Sequence, residues 1–246
     1  MRIPRLYHPE DLAVGLQVPL SAIAFQHAVR VLRLRQGAPV ILFNGQGGEY
    51  QASLCEIGKR SAQARIEAFV EREAEALLPV TLGQCISKSE HMDFAVQKAT
   101  ELGVAAIQPL FSERSTSSLQ GERLQKKWSH WRGIIVNACE QCGRNRLPLL
   151  HAPLELESWL QETTPPALRL VLAPATRHSL RQLPAPSTSG GVSLLIGPEG
   201  GLSEQEIKLA QANGFTAIGL GPRILRTETA ALTALTAVLT LWGDLA

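Results

Sequence analysis

Leu194-Leu195-Ile196-Gly197-Pro198-Glu199-Gly200-Gly201 and, a short helix later, Leu220-Gly221-Pro222-Arg223-Ile224-Leu225-Arg226-Thr227-Glu228-Thr229-Ala230 decide how this chain reads. Both halves follow one plan. A short apolar run, Val192 to Ile196 or Ala217 to Leu220, delivers into a Gly-Pro turn. Runs so short and so uniformly apolar suit parallel strands covered on both faces. Gly197, Gly200 and Gly201 let the backbone come close to a ligand and turn amide N–H groups outward. Ser203 with Glu206 three residues on is a capping box, so a helix starts just past the loop. Two strand ends with adjacent glycine turns make the crevice in which open α/β sheets hold ligands. Two ordinary strand-to-helix turns are the alternative; the basic and hydroxyl-rich segment after the second turn favours a site.

Outward from this stretch, strands and helices alternate. Val80–Ile86, Ala105–Leu110 and Leu168–Leu172 read as strands. Ser89 is expected to cap a helix through Leu102, Leu119 to about Cys142 reads as a long basic helix, and Thr227–Trp242 as the last one. That alternation is α/β with a parallel sheet. The last helix is apolar nearly all round, which places it under the sheet or against another subunit. Residues 1 to about 70 read differently. Short strands at Ile3–Leu6, Pro39–Phe43, Glu49–Leu54 and Ala64–Phe69, with a glycine-rich turn at 44–48, fit a small barrel. Ser21 caps a helix over Ala22–Leu32, with Ile23 and Val31 expected inward and Arg30 and Arg33 outward. The charged run Glu71-Arg72-Glu73-Ala74-Glu75 marks the linker, dividing the chain into domains 1–72 and 73–246.

Composition excludes several classes. Of 246 residues, 45% are apolar and 19% charged, so the chain can build a core and is not disordered. No apolar run has membrane-spanning length, and Met1 to Arg5 lacks the apolar centre of a signal peptide, so a cytoplasmic protein is expected. The net charge of +2 says little about nucleic acid, but cations gather in residues 1–35 and 114–146. Such patches suit a local polyanion contact, although charge alone favours solvated faces. Cys139 and Cys142 form a lone C-x-x-C without a second pair, so free thiols are expected and no metal. Neither a dinucleotide-binding G-x-G-x-x-G after the first strand nor a phosphate-binding Gly-Lys-Ser/Thr is present.

GPEGG followed by LGPRILRTETA resembles the signature of the SPOUT methyltransferases. More closely, the chain resembles the ribosomal RNA small-subunit methyltransferase E family. MRIPRLYHPE at the start, His27 to Arg33, KATELGV at Lys98 to Val104 and EQCGR at Glu140 to Arg144 extend the likeness over nearly the whole chain. The resemblance implies an α/β SPOUT domain with a trefoil knot at its C-terminus, a PUA-like RNA-binding barrel before it, and a homodimer. It also implies S-adenosylmethionine as cofactor and N3 of a uridine in 16S, small-subunit, ribosomal RNA as methyl acceptor. Leu172, Ile196, Gly197, Gly200, Gly201, Leu220, Gly221 and Leu225 are expected around the cofactor. Glu199 either meets the ribose hydroxyls or closes its own loop.

The acceptor nitrogen carries a proton at neutral pH, so transfer needs a base or a positive charge that stabilises the uridine anion. Arg226 and Arg223 are the candidates for holding the uracil oxygen, with a phosphate contact as the alternative for Arg223. Glu228 is either the base or an acid favoured at a helix start by the dipole. His27 and His178, outside the motif, are weaker candidates for the base. Arg5, Arg30 and Arg33 in the small domain and Lys126, Arg132 and Arg144 in the large one are the expected RNA contacts, positioning rather than specifying. A non-catalytic RNA-binding protein, an enzyme of another RNA, or one of small nucleotides are the competing readings.

Overall fold

The computed structural model describes residues 3–115, 120–161, 168–174, 176, 178–187 and 190–245. Met1, Arg2 and Leu119, the expected start of the long helix, lie outside the described residues. The chain forms two compact units. The first gathers residues 1–75 with Val136–Leu147, the second Ala76–Ile135 with Pro148–Ala246. A division at 72/73 leaves out the return of Val136–Leu147 to the first unit.

In the first unit, β1 (Arg5–Tyr7), β2 (Gln17–Pro19), β3 (Pro39–Phe43), β4 (Glu49–Ile57) and β5 (Ala62–Val70) make one sheet in the order β1-β3-β4-β5-β2. Its pairings are antiparallel except β1 with β3. Alternate residues of β3, β4 and β5 turn inward: Val40 and Leu42, Ala52 and Leu54, Ala62, Ala64 and Ile66 join Leu6, Phe25 and Ala28 in one core. Ser21 caps α1 (Ala22–Phe25) as expected, its hydroxyl accepting from the Ala24 amide at 3.1 Å. The helix then widens into a π-helical turn at Gln26–Val31. Ile23 and Val31, expected inward, are 71% and 70% exposed, while Ala24, Phe25 and Ala28 are buried. One α turn followed by π turns rotates the buried face away from the 3.6-residue period on which the expectation rested. Arg33, at φ +54°, ends the segment in a left-handed conformation uncommon outside glycine.

Two arginines expected on RNA are structural in this unit. Arg5 is buried and pairs with buried Glu49, and its Nη2 donates to Asn145 Oδ1 at 2.5 Å. Arg144 is buried too, its Nε donating to Glu75 Oε2 at 2.6 Å. Glu75 Oε1 also accepts the amides of Asn145 and Arg146 at 3.1 and 3.0 Å. The acidic run expected to be a bare linker therefore anchors residues 144–146. A guanidinium taken out of water needs its carboxylate, and neither pair leaves a charge for phosphate.

The second unit is built on a parallel sheet. Its members are β6 (Val80–Cys85), β7 (Ala106–Phe111), β8 (Leu149–Leu150), β9 (Leu154–Glu155), β10 (Leu168–Leu172), β11 (Val192–Ile196) and β12 (Thr216–Ile218). The order is β12-β10-β11-β6-β7-β8, with β9 also on β7. All five residues of β11, the strand entering the first glycine turn, are buried. α2 (Ser89–Glu101) packs on α6 (Thr227–Trp242), and α6 lies against β6 and β11. Val171 and Leu195 share a core with Leu156 and Trp159 of the short α4 (Leu156–Leu160) and with Ala210 of α5 (Glu204–Ala212). The chain thus has the α/β class, parallel sheet and separate N-terminal sheet expected of it. α3 (Gly121–Cys142) begins in this unit. Ser89 does not cap α2: Lys88 occupies that position without a side-chain bond, and Ser89 is the first helical residue. β2, β8, β9 and α4 are too short to carry a readable period.

Candidate cofactor cleft

The capping box closes as written: Ser203 Oγ accepts the Glu206 amide at 3.2 Å and Glu206 Oε2 the Ser203 amide at 2.7 Å. This starts α5 at Glu204 and leaves residues 197–202 as a compact loop between β11 and α5. Three neighbours hold that loop. Thr227 Oγ1 donates to the Gly197 carbonyl at 2.6 Å. Arg114 Nη1 donates to the Gly200 carbonyl at 2.9 Å. Glu199 Oε1 accepts the Lys88 amide at 2.9 Å, so its carboxylate closes the loop against the start of α2. Glu206 Oε1 accepts the Glu113 amide at 2.8 Å, which fastens the segment carrying Arg114 to the same place.

Two glycines are required by conformation. Gly201 has φ +68° and Gly221 φ +98°. Gly197 is required by space instead: a β-carbon there would lie 2.8 Å from the Leu202 amide nitrogen. Gly200 has no left-handed backbone, and a β-carbon on it would touch the Arg114 side chain at 3.4 Å.

At the carboxyl ends of β10, β11 and β12 these loops enclose a cavity of about 330 Å³. Leu172, Ile196, Gly197, Glu199, Gly200, Gly201, Leu220, Gly221 and Leu225, all nine singled out in the sequence, line it. Apolar side chains form its walls; the loops supply backbone. A β-carbon on Gly201 would meet nothing within 4 Å, and on Gly221 only Arg223 Nη2 at 4.0 Å, so both open toward free space. Ile224, 88% exposed, stands on the second loop at the rim.

The charged candidates divide. Arg223 lines the cavity. Arg226 is not among the lining residues; it is the exposed N-cap residue of α6, with its side chain making no cap bond. Glu228 is buried in the first turn of α6, its Oε1 3.0 Å from His91 Nδ1. That pairing favours the positional role for Glu228 over the base. His27 lies in the first unit, 3.8 Å from Glu140. Burial pushes the Glu140 carboxyl up, against the Tyr7 amide and His27, which lower it. His178 contributes its carbonyl, which accepts the Gly219 amide at 2.8 Å. Arg30, Arg33, Lys126 and Arg132 are exposed, unlike Arg5 and Arg144.

Thr227 and Gln84 were missed in the sequence. Gln84, buried on β6, donates from Nε2 to Thr227 Oγ1 at 3.0 Å. The signal was a hydroxyl residue as the first helical residue after a glycine turn; its partner on a distant strand left no local trace. The cysteines carry no obvious chemistry. Burial pushes the Cys85 thiol up to about 12. Cys139 is raised by its hydrogen bond with Cys142 and by burial. Among the described residues no group of three or more His, Cys, Asp or Glu is placed to hold a metal, and no helix is long and apolar enough to cross a membrane.

Known proteins share this architecture. The family profile described as an RNA methyltransferase domain matches residues 74–239, and one described as an RNA methyltransferase PUA domain matches residues 24–67. Ribosomal RNA small subunit methyltransferase E of Buchnera aphidicola subsp. Schizaphis graminum is 36% identical over 99% of this chain and 98% of its own length. A Legionella pneumophila protein solved with bound S-adenosylmethionine is 42% identical, with TM-score 0.95 over 99% of this chain and 100% of its own. Ribosomal RNA small subunit methyltransferase E of Neisseria gonorrhoeae, also bound to S-adenosylmethionine, is 39% identical, with TM-score 0.92 over the full length of both.

Thr227→Val removes the donor to the Gly197 carbonyl and an acceptor of the Gln84 amide. Urea unfolding should reveal a loss of about 1–3 kcal/mol, the cost of leaving a buried polar group unpaired. Thr227→Ser should keep most of the stability. Equal stability of Thr227→Val and the parent would show that the contact is dispensable.

Proposed function

The chain belongs to the ribosomal RNA small subunit methyltransferase E family, and from that premise we propose that it methylates N3 of a uridine in 16S RNA with S-adenosylmethionine as donor. Membership makes it a methyltransferase of small-subunit ribosomal RNA; the position on the base and the roles of single residues belong to the proposal. One observation supports it above the others. Nine residues from three separate segments converge on one cavity, at the strand ends where α/β sheets bind ligands. Its volume lies within the roughly 300–1,000 Å³ of small-molecule sites.

The residues present fit the cofactor. Leu172, Ile196, Leu220 and Leu225 offer apolar walls to the adenosine, and the backbone of the two glycine loops offers hydrogen bonds to its polar edges. When bound, S-adenosylmethionine supplies a sulfonium methyl as electrophile. The protein's part is to bring a base against it and manage one proton. Uridine N3 gives up its proton to solvent water, and the negative charge then spreads onto the ring oxygens. Arg223, on the cavity wall, and Arg226, at the start of α6, are the cations available to hold that charge. Glu228 keeps the first turn of α6 in place through His91. Arg30, Arg33 and Arg132 meet the RNA backbone, the first two from the N-terminal unit, and the target uridine leaves its stack to reach the site. The reaction belongs with ribosome assembly in the cytoplasm.

We propose a homodimer as well. The outer face of α6, with Leu232, Ala237 and Leu241 beside three threonines, remains half-buried or exposed and lines a surface cleft with Arg181. A second copy covering this face would explain why the helix is apolar nearly all round.

Mass spectrometry of ribosomal RNA from a deletion strain should lack one N3-methyluridine of the small subunit, which the restored gene returns. Calorimetry should show S-adenosylmethionine binding that Gly197→Ala weakens at least tenfold. An unaltered uridine methylation pattern, or no cofactor binding, would refute the reading. For the chemistry, Arg226→Ala should lower kcat roughly a hundredfold with little change in cofactor or RNA affinity. Arg226→Lys should recover only part, lacking the planar fork of donors. A near-normal kcat would move the role to Arg223. Light scattering at micromolar concentration should give the mass of two chains; an active monomer would remove the dimer from the account.

A further inference from the structure

We infer that the cleft between the start of α2 and the first half of α3 is a phosphate-binding groove for the RNA backbone. The inference rests on the reading of the chain as an RNA methyltransferase and adds to it a second contact site, away from the cofactor cavity. Ser89 and Asp93 of α2 face Arg123, Lys126, Lys127 and His130 of α3 across a cleft of about 600 Å³. The α3 residues are spaced three, four and seven apart from Arg123, so they share one helix face.

That face is poorly compensated. Three permanent cations look onto a single lining carboxylate, Asp93, whose Oδ2 is already 2.8 Å from His130 Nε2. Glu122 is 92% exposed and reaches Lys126 only at 4.0 Å. Like charges three and four residues apart repel on a helix. A face kept merely for solubility gains more from alternating signs. Lys127 is half-buried and its Nζ is hydrogen-bonded to Ser89 Oγ, which holds one ammonium at the cleft wall instead of leaving it to wander. An arginine fork beside two ammonium groups suits phosphodiester oxygens. Charge of this kind positions a nucleic acid without reading its bases.

Location gives the groove its substrate. α2 starts beside the cofactor cavity, since the amide of Lys88, its N-cap residue, is bonded to Glu199 on the cavity wall. Ser89, the next residue, lines the groove. A strand whose nucleotide enters the cavity has its flanking phosphates within reach of α3.

The test compares the full chain with the double variant Arg123→Ala/Lys127→Ala in binding to small-subunit ribosomal RNA over a salt series. Each lost phosphate contact lowers the slope of log K against log salt by about one, so a decrease near two is expected. The charge-keeping variant Arg123→Lys/Lys127→Arg should retain the slope. Asp93→Asn, which removes the opposing carboxylate, should tighten RNA binding. S-adenosylmethionine affinity by calorimetry should match the parent throughout, which also verifies that the variants are folded. An unchanged slope in the alanine variant, with the parent binding RNA, would overturn the groove alone. A parent that binds neither RNA nor S-adenosylmethionine would overturn the functional reading and the groove with it.

Discussion

The Thr227 hydroxyl stands between two groups that have no other reason to meet. It donates to the Gly197 carbonyl on the loop after β11 and accepts from the Gln84 amide on β6. The first residue of the last helix is thereby fixed to the first glycine loop and to the middle of the sheet. The segment from Leu220 to Arg226 must run between Ile218, at the end of β12, and this fixed point. Its path over the cavity is set at both ends. The cofactor cleft exists because two loops distant in sequence are held a definite distance apart, and this hydroxyl is the tie between them.

Around that tie the first loop has little freedom. Glu199 is occupied by the Lys88 amide and the Gly200 carbonyl by Arg114. Loop carbonyls and carboxylates otherwise turn to water; here they are spent on neighbouring segments, which costs ordering entropy but prepares the backbone for a ligand before it arrives. Glycine serves different ends within one loop. Gly201 allows a left-handed turn and opens toward the cavity, whereas Gly197 leaves room for the Leu202 backbone. A residue larger than glycine fails at the two positions for separate reasons.

Charge is apportioned with similar economy. The chain is near neutral, and several of its arginines are committed to carboxylates inside the first unit. Other cations stay exposed, among them Arg30, Arg33, Arg60 and Arg65 on one unit and Arg123, Lys126 and Arg132 of α3 on the other. The distinction between an arginine held inside the unit and one open to solvent is burial, and burial is a property of the folded chain. Arg5 and Arg33 look alike in the sequence. One is enclosed with Glu49, the other projects from a left-handed turn.

The sequence by itself determined the parts governed by local rules. β11 was legible from an unbroken apolar run, α5 from its capping box, and α6 from end to end, because strand burial, capping and helical periodicity act over a few residues. The cavity-lining set was legible since both glycine turns sit in recognisable motifs at strand ends. Only the tertiary structure decided what depends on long-range partners. It turned Ile23 and Val31 outward, because a π turn breaks the period that placed them inside. It enclosed Arg5 and Arg144, because Glu49 and Glu75 arrive from remote strands and segments. It returned Val136–Leu147 to the first unit, since the ion pair and amide hydrogen bond that tie it to Glu75 join residues about seventy positions apart. It assigned Glu228 to His91 and Thr227 to Gln84, since neither helix nor strand carries any trace of the element it will pack against. Local chemistry writes the elements; the pairing of polar groups across the fold determines which of their side chains remain free to act.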